Sequence, residues 1–470
     1  MTRVRTVDPA TGEVVAEYPA FDDARIEAAL ATTHAAAVSW AATPLAERLE
    51  LLRALAGTLR AGRDSCAALM TREMGKPIGE AAAEIEKSAV TADHYVANAA
   101  RILADEQVEI EGVRAWVSYE PLGVVYAVMP WNFPFWQVMR FAVPTLAAGN
   151  AVLLKHSPNV TGSALALQQV VERAGFPRGL LTTLVVAEPD VPRVSERIIA
   201  DDRVAAVTLT GSNRAGAAVG AAAGRAVKKA VLELGGSDPF VVLDDADLDA
   251  ATTAAVKARF HNSGQSCVCA KRFLVADAVA GEFTRLFVEK TRALVVGDPT
   301  DPATQVGPMA RRDLRDQLHD QVERSVAQGA TLLTGGHVID GPGTYYAPTV
   351  LAGTRPGVAA FDEETFGPVA ALATAATDAE LAALAGASEY GLGLSIWTAD
   401  PDRAVRLARS VSSGAVFVNA VVASDPRLPF GGTKRSGHGR ELAAAGIREF
   451  TTVRSYWIAT EPPAGPVRAR

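Results

Sequence analysis

The feature that most constrains the fold is a regular alternation of strand and helix patterns between residues 123 and 236. Short apolar runs such as GVVYAVMP and NAVLLKH are typical of strands buried on both faces. Amphipathic stretches such as WQVMRFAVPTLAAG and RVSERIIAD lie between them, with apolar residues at helical spacing. The alternation predicts right-handed βαβ units and a parallel sheet. It also places MPWN, KHSP and TGSN at the carboxyl edge of that sheet, where ligands bind.

The flanking regions extend this α/β pattern. The first hundred residues read as helical, with apolar residues three and four apart in IEAALATTHAAAVSW and LAERLELLRALAGTLRAG. Residues 107–119 alternate apolar and polar around a glycine, which predicts a two-stranded ribbon. A second α/β region runs from about Pro239 to Pro429, with strands at PFVVL, KRFLVA and GAVFVN. The segment ELAAAGIREFTTVRSYWIA ends in a further strand, and the tail EPPAGPVRAR is predicted to be disordered.

Composition argues against several classes of partner. The 470 residues carry a net charge of −7 with acids and bases interleaved, whereas nucleic-acid binders usually show a basic stripe or patch. No apolar run approaches the ~20 residues of a membrane span, and the N-terminus lacks the apolar region of a signal peptide. The three cysteines, Cys66, Cys267 and Cys269, fit a reducing compartment and lack the spacing of a zinc site. We therefore expect a cytoplasmic protein without a metal.

Three residues stand in contexts that favour chemistry. Cys267 follows a glycine-containing turn in FHNSGQSCVCAKRF. Its thiolate could attack an aldehyde to form a thiohemiacetal that expels hydride and leaves a thioester. Glu233 ends an apolar strand in LELGG, where it is either a paired structural group or the base that activates water for thioester hydrolysis. Asn132 lies between two prolines in PWNFP, and its amide N–H could stabilise an oxyanion.

A dinucleotide site is indicated less directly. TGSNRAG, residues 210–216, follows a strand and opens a helix, so its backbone N–H groups could face a pyrophosphate. The segment is neither the G-x-G-x-x-G fingerprint nor a P-loop. Lys155 ends the second predicted strand in LLKHSPN, where it could contact the adenosine ribose.

These residues together resemble the aldehyde dehydrogenase superfamily over essentially the whole chain. ETFGPV at 364–369 and PFGGTKRSGHGRE at 429–441 also look like segments of that family. The resemblance implies an α/β, aldehyde dehydrogenase-like fold, with a Rossmann-type cofactor domain, an α/β catalytic domain and a β oligomerisation ribbon. The implied division gives the cofactor domain 1–104 and 121–233, the ribbon 105–120, the catalytic domain 234–429 and the C-terminal return and oligomerisation strand 430–470.

The resemblance also implies residue roles. Cys267 is the nucleophile, Asn132 and the Cys267 backbone N–H form the oxyanion hole, and Glu233 is the general base for deacylation. The residues implied to bind the dinucleotide are Trp131, Lys155, Gly211, Ser212, Leu234 and Glu364. NAD-preferring relatives usually carry Glu where this chain has Pro158, so NADP is expected, with NAD possible. Lys155 and Ser157 could then hold the 2′-phosphate.

Within the family, the closest resemblance is to NADP-dependent succinate-semialdehyde dehydrogenases, on MPWNFPFWQVMRF, LLKHSPNV, GQSCVCAKRF and SDPRLPFGGTKRSGHGRE. Arg140 could pair with the distal carboxylate of a short ω-oxo acid, with Ser424 adding a hydrogen bond, or it could form a structural salt bridge. Some members of this subgroup carry a second cysteine, so Cys269 is either a redox partner of Cys267 or a packing residue. Two alternatives stay open: a broad-specificity enzyme for uncharged aldehydes, and a non-catalytic binding member of the fold. A homodimer or homotetramer is expected.

Overall fold

A computed structural model describes residues 2–459 and contains three larger β-sheets, of six, seven and three strands. The predicted α/β order is present throughout this range. The tail 461–470, predicted to be disordered, lies outside the described residues.

The chain begins with a hairpin, so the prediction that the whole first hundred residues are helical was wrong. Val4 and Thr6 are buried while their neighbours on the strand are exposed, which is the period-two alternation of a half-buried strand. The run is short and is interrupted by the turn DPATGE, so helical spacing further along dominated the interpretation. The elements of this region are β1 (Arg3–Val7), β2 (Val14–Pro19), α1 (Asp23–Ala41), α2 (Leu45–Ala61), α3 (Arg63–Met74) and α4 (Ile78–Ile102).

The predicted ribbon follows, and then the predicted βαβ units. Strands β3 (Glu106–Ile110) and β4 (Val113–Pro121) pair antiparallel. The next elements are β5 (Val124–Met129), α5 (Trp136–Ala147), β6 (Ala151–His156), α6 (Thr161–Arg173), β7 (Leu181–Leu184), α7 (Val191–Ala200), β8 (Val204–Thr210), α8 (Asn213–Arg225) and β9 (Lys229–Glu233). These five strands form a parallel sheet in the order β9-β8-β5-β6-β7, so the segments after β5, β6 and β8 share one edge.

A second sheet occupies the later α/β region. Its elements are β10 (Asp238–Val242), α9 (Leu248–Phe260), β11 (Ala270–Ala276), α10 (Asp277–Arg292), α11 (Arg312–Ala327), β12 (Thr331–Thr334), β13 (Thr349–Ala352), α12 (Ala359–Asp362), β14 (Val369–Ala375), α13 (Asp378–Gly386), β15 (Tyr390–Gly391), β16 (Gly393–Trp397), α14 (Pro401–Ala408) and β17 (Ala415–Val418). The strand order is β12-β13-β14-β11-β10-β16-β17, and only β12 runs antiparallel to its neighbour.

The C-terminal segment returns to the first half of the chain. It contains β18 (Thr433–Lys434), β19 (Gly437–His438), α15 (Ala443–Glu449) and β20 (Thr451–Ala459). Strand β18 pairs with β15, and β19 adds antiparallel to β9, which completes the six-stranded sheet. Strand β20 pairs with β4 over its whole length, so the two predicted projecting segments form one sheet in the order β20-β4-β3.

Each α/β half has its own apolar core, and the α/β fold class is confirmed. One large cluster packs α1–α7 against the first sheet, and two further clusters lie on the faces of the seven-stranded sheet. Within residues 2–459, no helix is both long and apolar enough to cross a membrane. The same residues contain no group of three or more His, Cys, Asp and Glu side chains that could hold a metal. The domain boundaries, the cytoplasmic location and the absence of a metal stay predictions.

Candidate active site

The loop that carries Cys267 is held in an unusual backbone conformation. It follows α9 through a short 3-10 turn, His261–Gly264, in which Asn262 and Ser263 have φ of 54° and 53°. Both are buried. Non-glycine residues rarely adopt this left-handed conformation, because it is strained. Hydrogen bonds stabilise the turn, because the Asn262 side-chain amide donates to the backbone oxygens of Asn132 (2.8 Å) and Gln265 (3.1 Å). The turn therefore joins the cysteine loop to the segment that follows β5.

The Asn132 side chain faces this same loop. Its amide nitrogen, Nδ2, donates to the backbone oxygen of Gln265 at 3.1 Å. An amide nitrogen carries two hydrogens, so the second N–H is available to another acceptor. The amide oxygen, Oδ1, is buried without a hydrogen-bond partner among the described residues. Asn132 is thus anchored to the cysteine loop, and its second amide N–H, which has no acceptor among the described residues, could bind an oxyanion.

Two cavities meet at Cys267. The smaller cavity, of about 230 Å³, lies between α4, α5, the cysteine loop and residues 421–424. The larger cavity, of about 510 Å³, lies between the carboxyl edges of β5, β8 and β9 and residues 362–366. Cys267 and Gln137 line both cavities. A thiol at such a junction can contact one ligand in each cavity.

The Cys267 thiol is protonated at neutral pH in this arrangement. Burial raises its pKa to about 12, opposed by the positive charges of Arg140 and Lys271. Lys271 also holds the loop, since its ammonium donates to the backbone oxygens of Ser266 and Cys267, both at 2.9 Å. The same ammonium lies 3.2 Å from a carboxylate oxygen of Glu364. One lysine therefore positions the cysteine loop relative to the wall of the larger cavity.

Glu233 lies next to a second buried carboxyl group. Burial and the charge of Glu441 raise the pKa of Glu233 well above its usual range, although Arg140 opposes the rise. Both Glu233 carboxyl oxygens are buried without a hydrogen-bond partner among the described residues, and Glu441 is bound by Arg140. Glu233 lines neither cavity as placed. It is a proton-holding carboxyl group that must turn towards Cys267 before it can act on water there.

The larger cavity has the features of a dinucleotide site. Gly211 and Ser212 line it at the start of α8, where Ser212 caps the helix by accepting from Ala215 N–H at 3.3 Å. A helix of this length has a positive N-terminus that suits a pyrophosphate. Trp131, Leu234 and Glu364 line the cavity too.

The wall around Glu364 requires glycine. A Cβ on Gly235 would lie 2.4 Å from a Glu364 carboxylate oxygen. Next to it, Gly236 N–H donates to the other Glu364 oxygen at 3.1 Å, so the carboxylate is fixed by the backbone after β9. The residues present therefore fit a nicotinamide dinucleotide, with Glu364 positioned to bind a ribose.

Comparisons with known proteins agree with this geometry. Residues 1–456 match the model of the aldehyde dehydrogenase family. The chain belongs to that family. It is 50% identical to a succinate semialdehyde dehydrogenase [NAD(P)+] of Escherichia coli, covering 97% of this chain and 98% of that protein. It is 46% identical to a probable succinate-semialdehyde dehydrogenase [NADP(+)] of Synechocystis, covering 97% and 100%. The resemblance inferred from the motifs is confirmed.

A solved structure shows how far the likeness extends in three dimensions. The succinic semialdehyde dehydrogenase of Streptococcus pyogenes, in complex with NADP+, superposes with a TM-score of 0.94 at 35% identity. The match covers 97% of this chain and 100% of that one. This confirms the aldehyde dehydrogenase-like fold.

Lys155 and Ser157 of this aldehyde dehydrogenase lie at the same sheet edge but outside the lining of the larger cavity. Lys155 is buried, and burial lowers its pKa to about 8, opposed by the nearby charge of Glu188. The Ser157 hydroxyl donates to Asn159 Oδ1 at 2.7 Å. Their contact with a 2′-phosphate stays a prediction.

Arg140 and Ser424 both line the smaller cavity, where each already has a partner. The Arg140 Nε is bound to Glu441, and its Nη2 lies 3.4 Å from Thr210 Oγ1. Arg140 therefore forms the structural salt bridge that was its alternative role, and a substrate contact by its remaining nitrogen stays a prediction. The Ser424 hydroxyl accepts a hydrogen bond of 2.8 Å from Lys87.

Cys269 also lines the smaller cavity, but its sulfur is directed at the backbone oxygen of His261, 3.8 Å away. Cys267 and Cys269 are both free thiols. This environment is that of a packing residue, and the redox role of Cys269 stays a prediction.

Sequence reasoning missed several residues of the site. Lys87 and Glu80 reach the smaller cavity from α4, Lys271 supports the cysteine loop, and Glu441 binds Arg140. Lys271 and Glu441 stood inside quoted motifs in which neither residue was assigned a role. Lys87 stood in AAAEIEKSAV, an alanine-rich helix remote from every motif, so only the three-dimensional structure brings it to Cys267.

Proposed function

We propose that this aldehyde dehydrogenase oxidises succinic semialdehyde to succinate with NADP as the hydride acceptor. The observation that carries the proposal is Cys267 at the junction of the larger cavity, whose lining fits a nicotinamide dinucleotide, and a small cavity that Lys87 and Arg140 line. The names of the E. coli, Synechocystis and S. pyogenes relatives support the same substrate and cofactor. A short substrate with one carboxylate suits a cavity of about 230 Å³.

The mechanism assigns each step to a residue of the site. The Cys267 thiol first loses its proton to water, and its thiolate then attacks the aldehyde carbon. The Asn132 amide and the Cys267 backbone N–H bind the resulting oxyanion. A bound nicotinamide dinucleotide supplies the hydride acceptor. Glu233 releases its own proton to water as it turns towards Cys267, and its carboxylate then accepts a proton from the water that hydrolyses the thioester.

Residues of the larger cavity and of the adjoining sheet edge would bind the dinucleotide. Gly211 and Ser212 at the start of α8 would hold the pyrophosphate, and Glu364 the nicotinamide ribose. Pro158 leaves no carboxylate to repel a 2′-phosphate, and Lys155 and Ser157 would bind it, which favours NADP over NAD.

The test is the initial rate of reduced-cofactor formation with succinic semialdehyde, butyraldehyde and benzaldehyde, each with NADP and with NAD. We expect the highest kcat/KM for succinic semialdehyde with NADP. Comparable kcat/KM values for the uncharged aldehydes would favour the broad-specificity alternative, which the aromatic lining by Phe133, Trp136 and Phe430 could also serve. No turnover with any aldehyde would favour the non-catalytic alternative.

We also propose that the chain forms a homo-oligomer through the β20-β4-β3 sheet. Val108, Val453 and Trp457 lie on one face of this sheet and are all exposed, although they are large and apolar. Strand β20 is an open edge of that sheet, and β17 is an open edge of the seven-stranded sheet. Open edges and an apolar face on one chain are well suited to pairing with a second copy.

A further inference from the structure

One face of α4 forms a wall of the smaller cavity. Glu80, Ala83, Glu84 and Lys87 line it, at the spacing of three, four and seven residues that puts side chains on one helical face. Glu80 lies at the end nearer His261, where it accepts a hydrogen bond of 2.7 Å from Asn262 N–H. Lys87 lies two turns further along, roughly 10 Å away by the rise of the helix. The cavity is therefore acidic at one end and basic at the other.

In the part of the chain that the structure describes, the Lys87 ammonium has no carboxylate partner. It donates a hydrogen bond of 2.8 Å to the Ser424 hydroxyl, and its nitrogen lies 4.4 Å from the centre of the Trp136 ring. Within residues 2–459 it forms no salt bridge. Burial has removed water from this cation, and a hydroxyl and an aromatic ring replace that water only in part. Binding of an anion by Lys87 is therefore favourable.

The other cations around the cavity are less able to bind an anion. Arg140 is bound to the buried carboxylate of Glu441, so the pair contributes little net charge. Lys257 also lines the cavity but is exposed to solvent, where its charge is screened. Among residues 2–459, the uncompensated positive charge inside the cavity is that of Lys87.

We propose that Lys87, with the Ser424 hydroxyl, binds the distal carboxylate of the substrate while the aldehyde carbon lies at Cys267. The inference rests on the proposed function and names a residue that selects a short ω-oxo acid over an uncharged aldehyde of the same length. In this arrangement the carboxylate of the substrate pairs with the Lys87 ammonium. The aldehyde at the other end of the substrate lies next to the Cys267 thiol. Arg140 then has a structural role: it lines the cavity while its guanidinium stays paired with the Glu441 carboxylate.

The proposal has a pH signature. Burial lowers the pKa of Lys87 to about 8, with Arg140 acting in the same direction and Glu84, Cys267 and Asp425 opposing it. Below that pH the side chain is an ammonium, and above it the amine is neutral and cannot attract a carboxylate. Because kcat/KM reports the free enzyme, its value for succinic semialdehyde relative to butyraldehyde should fall as pH rises above about 8.

The experiment compares Lys87→Met, which keeps the length of the side chain and removes its charge, with the unchanged enzyme. Binding of NADP by each protein, followed by fluorescence, establishes that the variant is folded. We expect the ratio of kcat/KM for succinic semialdehyde to that for butyraldehyde to fall roughly 100-fold, as for loss of one partner of a buried charge pair. The decline of this ratio above pH 8 should also disappear. Lys257→Met, at the exposed rim, should change the ratio less than about threefold, because screened surface charges contribute little.

The outcomes separate the two proposals. If the unchanged enzyme does not prefer succinic semialdehyde, the proposed function fails. If it does prefer that substrate and Lys87→Met keeps both the preference and its pH dependence, the role of Lys87 is overturned and Arg140 becomes the carboxylate-binding residue. If Lys257→Met reduces the preference as much as Lys87→Met does, general attraction and not a Lys87 contact accounts for the selectivity.

Discussion

At the residue scale, the site depends on charges and thiols that the fold has removed from water. Cys267, Glu233 and Glu441 are all buried or enclosed, and the pKa of each is raised by that burial. The residues that oppose these shifts, Arg140 and Lys271, are also buried. In such an environment the protonation state of each group is set by its neighbours, so small movements on ligand binding can change which group holds a proton.

The raised pKa of Cys267 predicts how the free enzyme reacts with iodoacetamide. Only the thiolate is alkylated, so without cofactor the rate constant for Cys267 should rise about tenfold per pH unit from pH 7 to 9 without a plateau. Peptide mass spectrometry separates Cys267 from Cys66 and Cys269, and Cys267→Ser is the control. A plateau near pH 7 would show that the resting nucleophile is already a thiolate.

Pro158 predicts a change of cofactor. Glu at this position should accept a hydrogen bond from the ribose 2′-OH and repel a 2′-phosphate, so Pro158→Glu should lower the ratio of kcat/KM with NADP to that with NAD roughly 100-fold. Pro158→Gln has the same length without the charge and should lower the ratio much less. An equal effect of both variants would assign it to loss of the proline backbone at Pro158–Val160.

At the element scale, the sequence patterns predicted the elements between residues 121 and 236 well, because strand and helix periods alternate there without interruption. The end of α8 is an exception, because a valine stands there in a backbone conformation that favours glycine. Val227 has a φ of 54° and is 93% exposed. The N–H groups of Val227 and Lys228 donate to the backbone oxygens of Gly224 (3.2 Å) and Ala223 (2.9 Å), which is the Schellman pattern that normally has glycine at the left-handed position.

This conformation predicts a stabilising substitution. Val227→Gly should raise the free energy of unfolding by about 1 kcal/mol, since glycine adopts the left-handed region without the steric cost of a branched side chain. The measurement is the midpoint of thermal unfolding at fixed protein concentration. Val227→Ala removes the branch but keeps a Cβ and should give a smaller gain. A lower midpoint for Val227→Gly would mean that the exposed valine contacts another copy of the chain.

At the scale of the whole molecule, each of the three larger sheets contributes to a different part of the protein. The carboxyl edge of the six-stranded sheet lines the larger cavity, and the cysteine loop leads into β11 of the seven-stranded sheet. The three-stranded sheet shares no strand with either. The last of these joins residues 106–121 to residues 451–459, more than three hundred positions apart. Such a sheet cannot be assembled from one local segment, and its exposed apolar face predicts association.

Charge on that face should disrupt the assembly. Trp457 is 66% exposed, and Trp457→Glu should shift the sedimentation coefficient from that of an oligomer to that of a monomer, because a carboxylate would be buried without a partner. Val38→Glu on α1 replaces an apolar side chain that is 63% exposed, and it should leave the sedimentation coefficient as it was. Sedimentation of Trp457→Glu as an intact oligomer would contradict the proposed interface.

The sequence by itself predicted the α/β class and the family, which are confirmed, and it identified Cys267, Asn132 and Glu233 as the candidate catalytic residues, because each stands in a short motif whose chemistry is local. It missed the β1–β2 hairpin, whose alternation is too short to compete with the helical spacing that follows. Only the tertiary structure decided which charges are paired. Arg140 is bound to Glu441, three hundred residues away, while Lys87 lies in the cavity beside Cys267 with no carboxylate partner in residues 2–459. Pairing and desolvation depend on distances across the fold, and no local pattern records them.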